Sequence, residues 1–303
     1  MKKTFFLVLI FFLVITCYGQ TAEEFYDRGI AKGRLKNYKG AITAFNKAIE
    51  LRPDFSDAYF HRGYSKFSLQ NYRGAISDYT KVIELNPNNS KVYLNRGIAK
   101  FNLKDYNSAI IDYNKAIELQ PNFFAAYLNR GDAKYNLENY SGAIVDYSRA
   151  IKIQPDNLDA YFKRGDAKFS LKDFRGTIID MTEAININSN FAIAYFLRGD
   201  AKYNLKNYRE AIQDYSKVIK FHPDLSMAYF NRGGAKNRIE DYNGAIADFS
   251  KVIELNPNSA GAYLNRGIAK ILIKKKESGC LDLSKAGELG HSEAYKYIRE
   301  HCN

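Results

Sequence analysis

The chain has 303 residues, of which 46% are hydrophobic and 26% charged, with six prolines, three cysteines and no tryptophan. This composition excludes low-complexity disorder, collagen-like chains and disulfide-dense small domains, and it predicts a folded protein. The formal net charge of +12 makes nucleic acid or an anionic membrane surface a candidate partner.

Residues 1–19 predict an export signal. Lys2 and Lys3 give a basic start, and the apolar run from residue 5 to residue 15 has the length of a signal-peptide core. That run is short for a membrane span. We expect cleavage before Gln20, no transmembrane segment in the mature chain, and a periplasmic or secreted protein. In the alternative, residues 14–17 are a lipoprotein processing site, and an acylated Cys17 tethers the protein to a membrane.

A period of 34 residues organises the rest of the chain. An Arg-Gly pair recurs every 34 residues from Arg28 to Arg266, and all six prolines fall on the same period. Self-similarity at this spacing predicts a solenoid of helix-turn-helix units. The units begin at residues 22, 56, 90, 124, 158, 192, 226 and 260.

Each unit predicts two helices. In the second unit, Tyr59 and Gly63 share one face at helical spacing, and a second apolar stripe starts at Ala75, with residues 71–74 read as the turn between them. Gly63 costs roughly 1 kcal/mol in a helix interior. We therefore expect a partner helix to pack too closely there for a side chain.

The third unit shows the recurring pattern of aromatic, small and proline residues: Tyr93, Gly97, Tyr106, Ala109, Tyr113, Ala116 and Pro121. In this pattern the chain resembles the tetratricopeptide repeat family, with seven repeats over residues 20–259. Residues 260–303 predict a degenerate eighth repeat and C-terminal capping helices. The resemblance implies an all-α fold, a right-handed solenoid superhelix whose first helices line a concave groove.

Two cysteines remain after the signal, Cys280 and Cys302. Because an exported protein meets an oxidising compartment, we expect a disulfide that pins the last helix. Two unpaired thiols are the alternative.

Charged residues recur in columns. Arg precedes the helical Gly in all eight units, Lys follows three residues after that Gly, and Asp recurs at seven positions from Asp78 to Asp282. Charges near an interior need partners, so the columns predict Arg-to-Asp pairing between helices, within a unit or across to a neighbour. Because the basic columns are matched by acidic ones, we expect that nucleic acid is not the partner. Binding of an anionic polymer through the basic surface stays an alternative.

Polar and aromatic residues form a further stripe on the first helices. By the family resemblance it faces the groove, and the candidate peptide-binding residues are Phe60, Phe67, Asn95, Phe101, Asn102, Asn129, Asp132, Tyr135, Asn136, Phe162, Asp166, Phe169, Phe196, Asp200, Tyr203, Asn204, Phe230, Asn231 and Asn265. Asn amides suit the backbone of an extended peptide, and the Asp residues favour a ligand that carries Lys or Arg. In the alternative, the rings thicken the core and the polar residues are ordinary helix surface.

No catalytic or cofactor motif is evident. The four histidines occupy unrelated registers, and neither a metal-binding pair nor a phosphate loop occurs. The sequence therefore predicts a scaffold without enzymatic activity, cofactor or metal, expected to be a monomer, that binds a protein or peptide partner. The alternative functions are a membrane-tethered lipoprotein adaptor and a binder of anionic polymers.

Overall fold

The computed structural model describes residues 20–302, and this part of the chain is built from helices alone. The predicted signal at residues 1–19, with Cys17, lies outside the described residues. The helices are α1 (Ala22–Arg34), α2 (Tyr38–Leu51), α3 (Ser56–Ser68), α4 (Tyr72–Leu85), α5 (Ser90–Asn102), α6 (Tyr106–Leu119), α7 (Phe124–Asn136), α8 (Tyr140–Ile153), α9 (Leu158–Ser170), α10 (Phe174–Ile187), α11 (Ala192–Asn204), α12 (Tyr208–Phe221), α13 (Ser226–Arg238), α14 (Tyr242–Leu255), α15 (Ala260–Leu272), α16 (Lys276–Glu288) and α17 (Glu293–His301).

The chain divides into two compact units, residues 1–138 with α1–α7 and residues 139–303 with α8–α17. Within each unit, every helix packs against the helix before it and the helix after it. Short connections and nearest-neighbour packing are the marks of an α-solenoid, so the predicted fold class is confirmed.

The turn inside each repeat lies earlier than the sequence predicted. Residues 71–74 are not a turn: Asn71 caps α4 by accepting a hydrogen bond from the Gly74 N–H at 3.0 Å. The chain reverses at Gln70, whose φ of 60° is left-handed. Asn and Gly suggested a turn, but here they serve as the helix cap and a first-turn residue. The equivalent residues also have positive φ: Lys36, Lys104, Glu138, Lys172, Lys206, Glu240 and Lys274.

Close packing explains the glycine in each first helix. A Cβ built on Gly97 would lie 2.5 Å from Cε1 of Tyr113, and one on Gly199 would lie 2.8 Å from Cε1 of Tyr215. Both rings belong to the second helix of the same repeat. The two helices could not approach this closely around a larger residue.

The charged columns form a ladder that works both within and between repeats. Arg198 donates from Nε and Nη2 to the two carboxylate oxygens of Asp214, at 3.0 and 2.7 Å. Lys202 donates to Asp214 at 2.6 Å. The third guanidinium nitrogen of Arg198 donates to Oγ1 of Thr182 in the preceding repeat, at 3.1 Å. The same Arg-to-Asp pair occurs as Arg62–Asp78, Arg96–Asp112, Arg164–Asp180, Arg232–Asp248 and Arg266–Asp282.

A disulfide closes the C-terminal end of the second unit. Cys280 in α16 is bonded to Cys302, the residue that follows α17, across a sequence separation of 22. The apolar side chains of Tyr297 and Ile298 on α17 pack on the cluster around Leu283. The last helix is therefore held both covalently and by burial.

Candidate functional site

The predicted groove aromatics are half-buried and pack against rings of the second helices. Phe196 lies 6.0 Å from Tyr215 and Phe230 lies 5.7 Å from Phe249, between ring centroids. Rings at the end of the first helix pack in the same way, at 5.2 to 5.4 Å: Phe67 on Tyr72, Phe101 on Tyr106, Phe169 on Phe174 and Tyr203 on Tyr208. These rings are therefore part of the core on one side, as the alternative interpretation held, and remain accessible on the other.

Five of the seven predicted asparagines donate one amide hydrogen to a backbone carbonyl of their own helix. Asn102, Asn129, Asn136, Asn204 and Asn265 each donate from Nδ2 to the backbone carbonyl four residues earlier, at 2.8 Å. This bond fixes the side chain along the helix and uses one of its two Nδ2 hydrogens. One donor and the Oδ1 acceptor remain for a partner.

Asp200 lies at the meeting point of three helices in the second unit. Tyr215 of α12 donates its hydroxyl to Asp200 Oδ1 at 2.7 Å, and Asn231 of α13 donates from Nδ2 to the same oxygen at 3.0 Å. The other carboxylate oxygen, Oδ2, has no hydrogen-bond partner among residues 20–302. Burial raises the pKa of Asp200, and the two hydrogen bonds oppose that rise.

A cavity of about 250 Å³ opens beside this carboxylate, and we call it the Asp200 pocket. Its lining is Asp200, Tyr203, Asn204, Tyr215, Phe230, Asn231 and Gly234. Five of these seven are predicted groove residues, which the fold brings together. Sequence reasoning missed two: Tyr215, which was assigned to core packing, and Gly234.

Gly234 is the residue that leaves the space. The same position in the first helix is Asp132, Asp166 and Asp200 in the three preceding repeats. A Cβ built on Gly234 would meet only the Tyr203 hydroxyl, at 4.0 Å. The second glycine of Arg232-Gly233-Gly234 was therefore the available sequence signal for this pocket.

Two further cavities lie in the second unit: one shares a lining residue with the Asp200 pocket, and the other shares a lining residue with that cavity. One, of about 440 Å³, is lined by Ala192, Ile193, Phe196, Val218, His222, Leu225 and Met227, and the other, of about 250 Å³, by Ser226, Met227, Phe230, Val252, Asn256, Ser259 and Gly261. Met227 lines both of these, and Phe230 lines the second cavity and the Asp200 pocket. Ile193 and Met227 are 51% and 55% exposed. The three cavities thus form one row, with an apolar end and an acidic end.

The other predicted residues do not line this row. In the second unit these are Phe162, Asp166, Phe169 and Asn265, and in the first unit Phe60, Phe67, Asn95, Phe101, Asn102, Asn129, Asp132, Tyr135 and Asn136. Their role in binding stays a prediction.

Across residues 20–302, no group of three or more His, Cys, Asp or Glu side chains is arranged to hold a metal ion. None of the helices within the same range has both the length and the apolar character that a membrane span requires.

Family comparison agrees with the repeat geometry. A family profile described as TPR repeat matches residues 34–69, 131–172 and 235–270, and one described as Tetratricopeptide repeat matches residues 56–89, 90–123 and 192–225. The chain belongs to the tetratricopeptide repeat family. No curated protein matches the sequence significantly.

Solved tetratricopeptide structures share the fold at low identity. The C-terminal part of a repeat protein from Cytophaga hutchinsonii superposes with a TM-score of 0.69 at 20% identity, covering 78% of this chain and 98% of that one. YrrB, described as a TPR protein with an unusual peptide-binding site, gives 0.57 at 24% identity, covering 61% and 95%. A repeat protein from Parabacteroides merdae gives 0.57 at 20% identity, covering 82% and 99%.

Proposed function

We propose that this tetratricopeptide protein is an exported interaction scaffold, and that a segment of a partner polypeptide lies along the row of cavities with a cationic side chain in the Asp200 pocket. The observation that carries the proposal is the set of hydrogen-bond acceptors around that pocket.

The acceptors outnumber the free donors. Asp200 Oδ2, Asn204 Oδ1 and Asn231 Oδ1 have no hydrogen-bond partner among the described residues, and each of these oxygens can accept twice. Each asparagine has one Nδ2 hydrogen left, because Asn204 donates the other to the backbone carbonyl of Asp200 and Asn231 donates the other to Asp200 Oδ1. An ammonium or guanidinium group brings several donors and no acceptor. A charged donor on a carboxylate also gives a stronger hydrogen bond than a neutral one.

The walls and the volume of the Asp200 pocket suit a single cationic side chain. The rings of Phe230, Tyr203 and Tyr215 line the cavity, and an aromatic face attracts a cation. A volume of about 250 Å³ lies below the roughly 300–1,000 Å³ that is usual for a drug-sized ligand. The adjoining apolar cavities give room for neighbouring residues of an extended segment.

YrrB, which is described as having a peptide-binding site, supports a peptide as the ligand class because it shares this fold. The fold alone does not determine function, so the local chemistry of the Asp200 pocket is the stronger support.

Export rests on two observations. Residues 1–19 have the composition of a signal peptide, and the Cys280–Cys302 disulfide belongs to an oxidising compartment. The intact mass of the exported protein distinguishes the two processing routes: a chain beginning at Gln20 indicates cleavage, and a lipid-modified Cys17 indicates the tethered adaptor.

The binding proposal is tested by selecting random short peptides on the purified protein and on two variants. We expect Lys or Arg to be enriched at one position, and Asp200→Asn to abolish that enrichment. Asp166→Asn is the matched control, because Asp166 occupies the same position of the preceding repeat and does not line the cavities. Equal enrichment on Asp200→Asn would contradict the pocket.

Salt dependence separates the polyanion alternative. A protein that binds single-stranded DNA through its basic surface loses affinity steeply as salt rises. We expect peptide binding to persist in the same titration, because salt screens one partly buried charge pair much less than it weakens contacts with many phosphates.

A further inference from the structure

The first repeat lacks one ring that other repeats supply. Gly33 stands where five other repeats have Phe67, Phe101, Tyr135, Phe169 and Tyr203. The rings of Phe67, Phe101, Phe169 and Tyr203 pack on the first aromatic residue of the following helix, at 5.2 to 5.4 Å between centroids. The equivalent residue in the first repeat is Tyr38, whose ring contacts Tyr64 instead, at 6.5 Å.

A cavity of about 420 Å³ occupies the place of the missing ring. It is lined by Gly29, Ile30, Gly33, Arg34, Lys36, Tyr38, Phe45, His61, Tyr64 and Ser65. A Cβ built on Gly33 would meet no atom within 4 Å. Phe45 is buried and forms an apolar wall, while Tyr64 is 51% exposed.

Two cations, Arg34 and Lys36, lie on the lining of this cavity. Both residues are exposed, and neither forms an ion pair with another residue in the described range. An occupant with acidic groups beside its ring would therefore meet complementary charge.

We infer that this cavity, here called the Gly33 pocket, binds one aromatic side chain of another polypeptide, with acidic residues next to that ring in sequence. The protein itself indicates the occupant, because five of its own repeats carry Phe or Tyr at the position of Gly33. Rings in this position gain edge-to-face contact with the helix-starting aromatic. The Gly33 pocket lies in the unit of residues 1–138 and does not depend on the Asp200 pocket.

The test uses a short peptide with a central Phe between Glu residues and the same peptide with Ala in place of Phe. By titration calorimetry we expect the Phe peptide to bind at least tenfold more tightly than the Ala peptide. Equal affinity for the two peptides would overturn the inference.

Two substitutions of Gly33 distinguish the effect of filling the cavity from the effect of replacing a helical glycine. Gly33→Phe supplies the missing ring, so we expect at least a tenfold loss of Phe-peptide affinity and a higher unfolding temperature than that of Gly33→Ala. Gly33→Ala leaves the cavity open and should keep the peptide affinity within twofold. Unchanged peptide affinity in Gly33→Phe would overturn the inference.

A charge-reversed variant gives a second readout that needs no large residue in the pocket. Arg34→Glu with Lys36→Glu should weaken binding of the acidic Phe peptide at least fivefold. The matched control is Lys104→Glu with Lys172→Glu, which changes the net charge equally at exposed residues that take the place of Lys36 in two other repeats, and it should keep the affinity within twofold. Equal loss in the two double variants would show that net charge alone is responsible and would overturn the inference. Self-association of the protein that Gly33→Phe abolishes would assign the Gly33 pocket to a second copy of the chain and overturn the inference.

Discussion

The hydroxyl of Tyr215 donates a 2.7 Å hydrogen bond to the Asp200 carboxylate, which connects the second helix of one repeat to its first helix beside the pocket. The bond stabilises the ionised carboxylate against the burial that raises its pKa. Burial and this hydrogen bond therefore act in opposite directions on the ionisation of Asp200, and burial has the larger effect.

Binding of a cationic peptide should weaken on acidification. Because burial raises the pKa of Asp200 above its ordinary value of 3.8, protonation begins at a higher pH than for an exposed Asp. Beside it, burial raises the pKa of Tyr215 and the hydrogen bond to the Tyr203 hydroxyl raises that of Arg238, so neither of these two groups changes its charge in that range. We expect affinity for a selected Arg or Lys peptide to fall as pH drops through the raised pKa, measured by calorimetry between pH 7 and pH 4.

Tyr215→Phe should shift the pH midpoint of peptide binding to a higher pH. Removal of the hydroxyl takes away a hydrogen bond that favours the ionised acid, so the midpoint shifts to higher pH. Phe249 fills the same position of the next repeat, so the substitution is compatible with the fold. A midpoint that stays in place would show that this hydroxyl does not tune Asp200.

Asp200→Asn should leave stability at neutral pH almost unchanged. A folded-state pKa above the unfolded value means that this group's stabilising contribution is complete below the ordinary pKa and is lost as pH rises through the raised one. Replacement of Asp200 by the neutral amide of Asn should therefore lower the free energy of unfolding only slightly at pH 7. Urea unfolding of the variant and the native protein at pH 7 and pH 4 measures this, and a large loss at pH 7 would assign Asp200 a structural role.

The ladder of Arg–Asp pairs predicts that replacing two acidic residues of α4 with Ala lowers the free energy of unfolding by different amounts. Asp78 is almost fully buried and accepts from Arg62 and Lys66, so Asp78→Ala should destabilise by about 3 kcal/mol because two cations lose their partner. Glu84 pairs with Lys81 on the surface, and Glu84→Ala should leave the urea midpoint unchanged. Equal midpoints for the two variants would contradict a stabilising ladder.

Two glycines should respond in opposite ways to alanine. Gly97→Ala brings a Cβ against the Tyr113 ring, so overpacking should cost about 1–3 kcal/mol despite the better helix propensity. Gly33→Ala meets open space and should stabilise by up to about 1 kcal/mol. Thermal unfolding compares the two, and stabilisation by both would mean that helix propensity alone governs these positions.

Reduction of the disulfide should loosen the last helix. Cys302→Ser opens the loop from Cys280, and the lost constraint is worth about 3 kcal/mol. Hydrogen exchange should accelerate in α17, with the amides of α9 as an internal reference. Unchanged protection in α17 would show that burial of Tyr297 and Ile298 is sufficient to hold it.

The sequence by itself determined the fold, because a 34-residue period repeats the same helix pair and each pair needs its neighbours to bury an apolar face. It also determined that Arg, Lys and Asp recur at fixed positions of the repeat and pair with one another. The direction of pairing was not in the sequence, since the bidentate bond to Asp214 and the bond to Thr182 depend on which nitrogen of Arg198 faces which helix.

Only the tertiary structure decided which candidate residues form a site. Asn102, Asn136 and Asn204 occupy the same position of their repeats, but Asn204 alone of these lines the Asp200 pocket, because a glycine in the next repeat leaves space beside it. The Gly33 pocket has the same origin. A void is the absence of a side chain among several helices, and its size depends on contacts between residues that lie about 34 positions apart.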